Sequence, residues 1–274
     1  MTDITITDDF DPGKIAASGQ CFRAAAVGDG WRFITGDDVV CLTPRSAQGW
    51  TVDCTRDTWQ RVWTPYFDLD RSYAAIRAAL PPQDAYLRAA AACGQGIRVL
   101  RQDPWEMLVT FIISQRKSIP AIRGCVEALC TRFGTPLQTQ QGGVHAFPTS
   151  QTLCAEGLEA LSACGLGYRA PYVLDAARRV ASGALDLQAL AALSDQALLQ
   201  QLMTVYGVGK KVANCVALFA YGRVGCAPID VWIERVIEQE YRGQNPFPGY
   251  GNAGILQQYM FYDAQQRKRA RRGA

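Results

Sequence analysis

The spacing of apolar residues changes about a quarter of the way along the chain. Before residue 69, short runs of β-branched and aromatic residues alternate with turn residues. This pattern predicts an antiparallel meander with strands over 31–35, 39–43 and 50–54. From about Leu69 the apolar positions recur at spacings of three and four, which predicts helices. The expected helices cover about 119–133, 150–163, 170–182 and 195–206, and Asp103-Pro104 is typical of another helix start.

The order of these elements predicts an α+β fold in two parts. We expect an N-terminal antiparallel β-sheet domain with a trailing helix over residues 1–95, followed by a larger all-α domain over residues 96–264. Residues 265–274 hold five cations and no acid, so we expect a basic, disordered tail there, and contacts of these cations with phosphates are the alternative. The polar, glycine-rich stretch 138–149 is expected to form a loop.

Composition narrows the class of protein. The chain has 274 residues, of which 49% are hydrophobic and 19% charged, as expected for a globular protein. No apolar run reaches the roughly 20 residues that span a bilayer, so we expect no membrane association. The first residues are acidic and polar, unlike a signal peptide, and we expect a cytoplasmic location.

The cysteines do not form a metal-binding pattern. Ten cysteines are scattered without any Cys-x-x-Cys pair, and His145 is the single histidine. Zinc sites and iron–sulfur clusters favour closely spaced ligands, so we expect no metal, no iron–sulfur cluster and no other cofactor. The net charge is only +3, so any affinity for nucleic acid must come from the local placement of cations.

Two glycines separate a pair of predicted helices near residue 207. The turn reads Gly207-Val208-Gly209, and Lys210 follows it. Glycines permit positive φ angles and a close approach of another backbone, and the next helix directs free N–H groups out of the turn. This arrangement is typical of a hairpin that binds phosphates, although an ordinary turn between packed helices has the same pattern.

Lys211 and Asp230 are the candidate catalytic residues. A nucleophilic lysine must lose its charge, which burial, a neighbouring cation and a helix N-terminus all favour. Cys215 lies four residues on, so it shares a face with Lys211, whereas Lys210 faces solvent or phosphate. Asp230 is placed to cap the next helix and to stabilise positive charge on a sugar ring. A surface lysine and a purely structural cap are the alternatives.

The sequence resembles the helix-hairpin-helix-GPD superfamily of DNA glycosylases, and within it the 8-oxoguanine DNA glycosylase/AP lyases. The hairpin string Gly207–Cys215 and the string Pro228–Val231 both match. Other matching strings occur in the family's order over 18–23, 66–70, 100–104, 165–170 and 253–257, with Phe261. The resemblance covers about residues 10–264, and its motifs together are highly specific.

The resemblance implies a role for each matching residue. Lys211 would attack C1′ of a damaged nucleotide in duplex DNA, form a Schiff base and cleave the strand by β-elimination. Asp230 would assist base loss. The family's pocket for the extruded base falls on Gly19, Cys215, Pro228, Gln257 and Phe261. Phe261 and Cys215 would sandwich the base, Gln257 would contact its Watson–Crick edge, and the Gly19 carbonyl would accept the N7–H of 8-oxoguanine.

The resemblance also implies DNA contacts and a departure from the pattern. Tyr168 would act as a wedge and Arg169 would contact the orphaned base, and the chain would act as a monomer. The family commonly has an Asn-rich stretch where this chain has Gln115 and the residues that follow it. Arg116 stands where the space-filling asparagine would be, and Ala121 stands where eukaryotic members have a second arginine that contacts cytosine. We therefore expect weak selectivity for cytosine opposite the lesion.

Three other functions fit parts of the pattern. An alkylpurine glycosylase of the same superfamily would lack the hairpin lysine. An enzyme for oxidised pyrimidines would keep the lysine but usually carries a four-cysteine cluster. A non-catalytic hairpin module would bind DNA and excise no base.

Overall fold

The N-terminal strands pair as the alternation of apolar residues predicts. The computed structural model describes residues 1–139 and 142–273. Within them, a five-stranded antiparallel sheet has the order β1-β5-β4-β3-β2. Its strands are β1 Thr2–Thr5, β2 Ala25–Val27, β3 Gly30–Thr35, β4 Asp38–Pro44 and β5 Gly49–Val52. Fully buried side chains face each other across it, with Phe33 opposite Val40 and Leu42 opposite Val52.

Helices make up most of the remaining chain, which confirms the α+β fold. In the described part of the chain, those of six residues or more span Pro12–Ala17, Tyr73–Ala78, Ala85–Cys93, Pro104–Ile113, Ile119–Phe133, Ser150–Leu161, Ala170–Ala181, Asp195–Leu202, Lys210–Phe219, Val231–Tyr241 and Ala253–Gly273. Shorter helical segments lie at Arg56–Thr58, Trp59–Trp63, Thr64–Tyr66, Ser162–Leu166, Gly167–Arg169 and Ala189–Ala192. None of the described helices is long and apolar enough to cross a membrane.

Two apolar clusters form the core. One lies under the sheet and consists of residues between Ile4 and Phe67, with Leu100 added from the helical part. The other joins the long helices, and the helices Tyr73–Ala78 and Ala85–Cys93 also contribute to it. The boundary expected at residue 95 stays a prediction, and the packing associates 73–93 with the helical cluster.

The strands of the structure differ locally from those that the sequence predicts. The sequence does not predict strands β1 and β2, because both are short and gain strand character from pairing with β5 and β3. The expected loop over 138–149 contains a hairpin, β6 Pro136–Thr139 and β7 Gly142–His145, and residues 140 and 141 lie outside the described residues. Its alternation is too weak to predict strands from sequence.

The disordered tail expected over 265–274 is wrong for its described part. The last helix continues without a break to Gly273, and residue 274 lies outside the described residues. Tertiary contacts account for the difference: Arg267 contacts Glu240 of another helix at 3.5 Å and lies over the ring of Tyr86. Packing of this kind stabilises a helix beyond what its own composition predicts.

Candidate active site

The glycine hairpin forms between helices Asp195–Leu202 and Lys210–Phe219. Gly207 has φ +79°, and a Cβ there would lie 2.4 Å from Cδ2 of Tyr172, so a side chain is excluded. Of the two glycines, Gly207 uses the positive φ that glycine permits, whereas Gly209 is extended with φ −97°. Nothing lies within 4 Å of a Cβ built on Gly209, which leaves its backbone open to another chain. Val208 is buried and Lys210 is exposed.

A cavity of about 480 Å³ lies beside the second hairpin helix. Its volume falls within the range of about 300–1,000 Å³ typical of ligand sites. The structure brings together here the two candidate catalytic residues and the whole predicted base pocket. These residues are Gly19, Lys211, Cys215, Pro228, Asp230, Gln257 and Phe261. They come from the N-terminal segment, the hairpin, the following loop and the last helix.

Lys211 is held in the cavity by a serine on another helix. Its Nζ lies 3.2 Å from Oγ of Ser114, the residue that ends helix Pro104–Ile113. Ser114 Oγ donates its own proton to the carbonyl of Phe111, so it is left as an acceptor for the amine. The lysine Nζ also lies 5.5 Å from the centre of the Phe111 ring. The amine therefore has a defined position at the cavity wall.

Asp230 caps helix Val231–Tyr241 as the sequence predicts. Its Oδ1 accepts hydrogen bonds from the backbone N–H groups of Trp232 and Ile233, both at 3.0 Å. Burial raises the pKa of Asp230 above its ordinary value, while these N–H groups and the nearby Lys211 ammonium oppose the shift. The carboxylate is thus fixed and partly desolvated, which strengthens its interaction with a developing cation.

Cys215 and the contact between Gly19 and Phe261 form a close-fitting part of the cavity wall. Burial raises the pKa of the Cys215 thiol to about 11, so the side chain is neutral at physiological pH. Gly19 has φ +75°, and a Cβ there would lie 2.8 Å from Cε1 of Phe261. Only a glycine therefore lets the Phe261 ring lie against this backbone, with the peptide groups of Gly19 at the cavity surface.

The amide of Gln257 is oriented by its neighbour. Gln258 Nε2 donates to Gln257 Oε1 at 2.9 Å, and both side chains are buried and line the cavity. This contact fixes which face of the Gln257 amide is presented to a bound molecule.

The predicted DNA-contacting residues lie outside the cavity around the loop after Ile113. Tyr168 is 52% exposed, as a wedge requires. Arg169 is only 6% exposed: its Nε donates to the Gln115 carbonyl at 2.8 Å and its guanidinium stacks on Tyr168. Gln115 donates to the Gly207 carbonyl at 3.2 Å, which joins this loop to the hairpin. Arg116 is exposed in a left-handed conformation with φ +51°.

Several cavity residues had no predicted role. Ser114 contacts a lysine 97 positions away, a distance that no local pattern signals. Trp232, Gln265, Lys268 and Arg269 also line the cavity. Lys268 and Arg269 belong to a run of cations that is evident in the sequence. Their position at the cavity depends on the continuation of the last helix, which the sequence does not predict.

A hairpin with a glycine turn, joined to a cavity that holds a half-buried lysine and aspartate on a helical body, defines the helix-hairpin-helix class of DNA glycosylases. Residues 3–108 match the model of the N-terminal domain of 8-oxoguanine DNA glycosylase. The N-glycosylase/DNA lyase of Saccharomyces cerevisiae is 34% identical over 208 residues, which cover 69% of this chain and 54% of the yeast protein. The match thus spans about half of that relative's length.

Solved structures agree over nearly the whole chain. MBOgg1, determined with a low-affinity DNA ligand, has a TM-score of 0.91 and 35% identity, covering 97% of this chain and 96% of that one. The 8-oxoguanine glycosylase/lyase of Clostridium acetobutylicum, bound to duplex DNA with cytosine opposite 8-oxoguanine, has a TM-score of 0.88 and 28% identity, covering 98% and 99%. The chain belongs to the 8-oxoguanine DNA glycosylase family of the helix-hairpin-helix-GPD superfamily.

Proposed function

We propose that this protein excises 8-oxoguanine from duplex DNA through a Schiff base on Lys211 and then cleaves the strand as an AP lyase. The observation that carries the proposal is the convergence of Lys211 and Asp230 with the predicted base pocket on one cavity. The names of the similar yeast and Clostridium proteins support it. Because the glycosidic bond is unreachable inside a duplex, the damaged nucleotide must be extruded into this cavity.

The chemistry assigns one task to each catalytic residue. The neutral amine of Lys211 attacks C1′, and the bond from C1′ to the base breaks with its electron pair leaving on the base, which takes up a proton. Asp230 stabilises the positive charge that develops on the sugar. The nitrogen then loses its protons and forms a double bond to C1′, while the C1′–O4′ bond breaks with its electron pair on O4′, which takes up a proton; this ring opening gives the Schiff base. Removal of a C2′ proton then expels the 3′ phosphate in β-elimination.

Lesion recognition relies on a single hydrogen atom. 8-Oxoguanine carries a proton on N7, whereas guanine presents a lone pair there. The backbone carbonyl of Gly19 would accept this proton and would face the lone pair of guanine unfavourably. Cys215 and Phe261 would enclose the base, Pro228 would complete the pocket, and Gln257, oriented by Gln258, would contact the Watson–Crick edge.

Borohydride trapping tests the proposal. Reduction of the Schiff base should link the wild-type protein covalently to 8-oxoguanine DNA, and Lys211→Gln should abolish the adduct. Lys210→Gln is the matched control because Lys210 is exposed at the adjacent position: it should weaken DNA binding but still give the full adduct when the protein saturates the DNA. Persistent trapping by Lys211→Gln would place the nucleophile elsewhere. Trapping only on duplexes with oxidised pyrimidines would support a different lesion class.

The identity of the base opposite the lesion should have little effect on the rate of excision. Arg116 and Ala121 replace residues that the family uses around cytosine, and the Arg169 guanidinium is already bound to the Gln115 carbonyl. We therefore expect similar excision rates opposite all four bases in single-turnover kinetics. Strict dependence on cytosine would refute this, and it would require Arg169 to leave its present contacts on binding DNA.

We further propose that the protein acts as a cytoplasmic monomer that needs no iron–sulfur cluster. Four residues of the hairpin, Gly207 to Lys210, would hold the DNA backbone, with Tyr168 as the wedge. Light scattering of the free protein and of its DNA complex should give one chain per duplex. A dimer mass, or visible absorbance typical of an iron–sulfur cluster, would contradict this.

A further inference from the structure

The last helix passes the predicted base pocket and continues beyond it. Gln257 and Phe261 line the cavity from its first turns, and Gln265, Lys268 and Arg269 line the cavity from later turns. These three positions recur at spacings of three and four from Phe261, as one face of a helix requires. The basic end of the chain is therefore part of the cavity wall.

The lining of the cavity has an excess of positive charge. Among the described residues it includes four cations, Lys117, Lys211, Lys268 and Arg269, against the single carboxylate of Asp230. The amine of Lys117 donates to the Gly165 carbonyl at 2.8 Å, and Lys211 contacts Ser114. In the described part of the chain no carboxylate pairs with Lys268 or Arg269.

The neighbouring arginine shows the contrast. Arg267 lies on the other side of the helix, where it pairs with Asp263 at 2.7 Å and with Glu240 at 3.5 Å. Its charge is neutralised within the protein, so it has a structural role. The next two cations face the cavity and are available to an anion.

Lys268 has a defined position at the cavity. Its Nζ lies 4.7 Å from the centre of the Trp232 ring, and that ring meets Phe261 edge to face at 6.4 Å. The lysine is thereby coupled to the predicted wall of the base pocket. Cation–π contact holds the ammonium without neutralising its charge.

Gln265 provides an independent sign of a missing partner. The side chain is 6% exposed, and its Nε2 has no hydrogen-bond partner among the described residues. A buried amide donor without an acceptor is unfavourable, by about 1–3 kcal/mol. It lines the same cavity as Lys268 and Arg269, so a bound oxygen atom would satisfy it.

We propose that Gln265, Lys268 and Arg269 form a phosphate site that binds a backbone phosphate next to the extruded nucleotide. The inference rests on the proposed function. An ammonium, a guanidinium and an amide N–H are all donors, which suits phosphate oxygens. The extruded base is neutral, so it gains little from two cations. The phosphate that enters the cavity mouth with the base is an anion, which two cations would stabilise. The site would therefore stabilise the extruded state in particular.

The test compares two duplexes of the same sequence, one undamaged and one with a stable abasic-site analogue. Lys268→Met keeps the apolar stem over Trp232 and removes the charge. We expect about tenfold weaker binding of the analogue duplex, unchanged binding of the undamaged duplex, and a salt-dependence slope reduced by about one on the analogue. Lys268→Arg keeps the charge, so it should show the wild-type affinity for the analogue duplex and the wild-type salt-dependence slope. Gln265→Leu should weaken binding of the analogue duplex and leave binding of the undamaged duplex unchanged.

Arg271→Met is the matched control, because it removes one cation from the exposed end of the same helix, outside the cavity lining. Equal losses on both duplexes for Lys268→Met and Arg271→Met would overturn the proposal and leave a non-specific basic tail. Wild-type binding by Lys268→Met would overturn it as well. Failure of the wild-type protein to form a borohydride adduct would contradict the proposed catalytic function instead, and this result does not depend on how the variants bind DNA.

Discussion

At the scale of single residues, the position of the Lys211 amine depends on Ser114. The hydroxyl has one proton, which it gives to the Phe111 carbonyl, so its lone pair is directed to the lysine. Motif strings could identify the lysine and the aspartate from the sequence. They could not identify Ser114, because a contact across 97 positions leaves no local pattern.

Ser114→Ala should slow formation of the Schiff base by about tenfold, because the amine loses the acceptor that orients it. DNA affinity should be unchanged, since Ser114 would act through the lysine. Single-turnover trapping measures the rate of Schiff-base formation, and a separate binding titration measures the DNA affinity. Ser118→Ala is the control, because Ser118 lines the same cavity and is exposed. A loss of affinity without a loss of rate would contradict the positioning role.

At the scale of elements, the two hairpin glycines have different reasons to be there. Gly207 needs a positive φ and has Tyr172 against it, whereas Gly209 is extended with open space around it. The sequence predicts a tight turn from Gly-x-Gly, but it does not distinguish these reasons. The same limit applies to the last helix, whose continuation past 264 depends on contacts from Tyr86 and Trp232.

Gly207→Ala and Gly209→Ala should separate folding from DNA binding. Gly207→Ala places a Cβ 2.4 Å from Tyr172 and strains the backbone, so we expect the protein to lose about 1–3 kcal/mol of stability. Gly209→Ala should leave the melting temperature unchanged and weaken DNA binding, since its Cβ would meet only an approaching backbone. Thermal melts measure the stability of each variant, and titration with an undamaged duplex measures its DNA affinity. Equal melting temperatures for the two variants would contradict the distinction.

At the scale of the whole molecule, a buried ion pair joins the N-terminal part to the helical part. Arg23 lies just after the segment that holds Gly19, and it contacts Glu106 of helix Pro104–Ile113 at 3.2 Å. Arg23 also donates to the His145 carbonyl. The sequence predicts two domains and their order. It does not show that this pair anchors the pocket segment to the helices, because the two residues are 83 positions apart and no local pattern signals a contact at that distance.

The pair makes stability depend on pH. Burial raises the pKa of Glu106 to about 7, with Arg23 opposing the shift and Asp103 adding to it. The folded state therefore binds more protons than the unfolded state between pH 7 and the ordinary value of 4.5. Stability from this group should be constant above pH 7 and rise as the pH falls below it.

Urea unfolding of the wild-type protein and of Glu106→Gln at several pH values measures this contribution. The variant cannot titrate at this position, so the wild type should gain about 1 kcal/mol per pH unit relative to it below pH 7. Subtracting the variant removes the titration of all other groups. Parallel curves for the two proteins would mean that Glu106 keeps an ordinary pKa and that Arg23 fully compensates its burial. A wild-type curve that falls on acidification relative to the variant would mean that the ion pair dominates, and that the charged form is the one that the fold prefers.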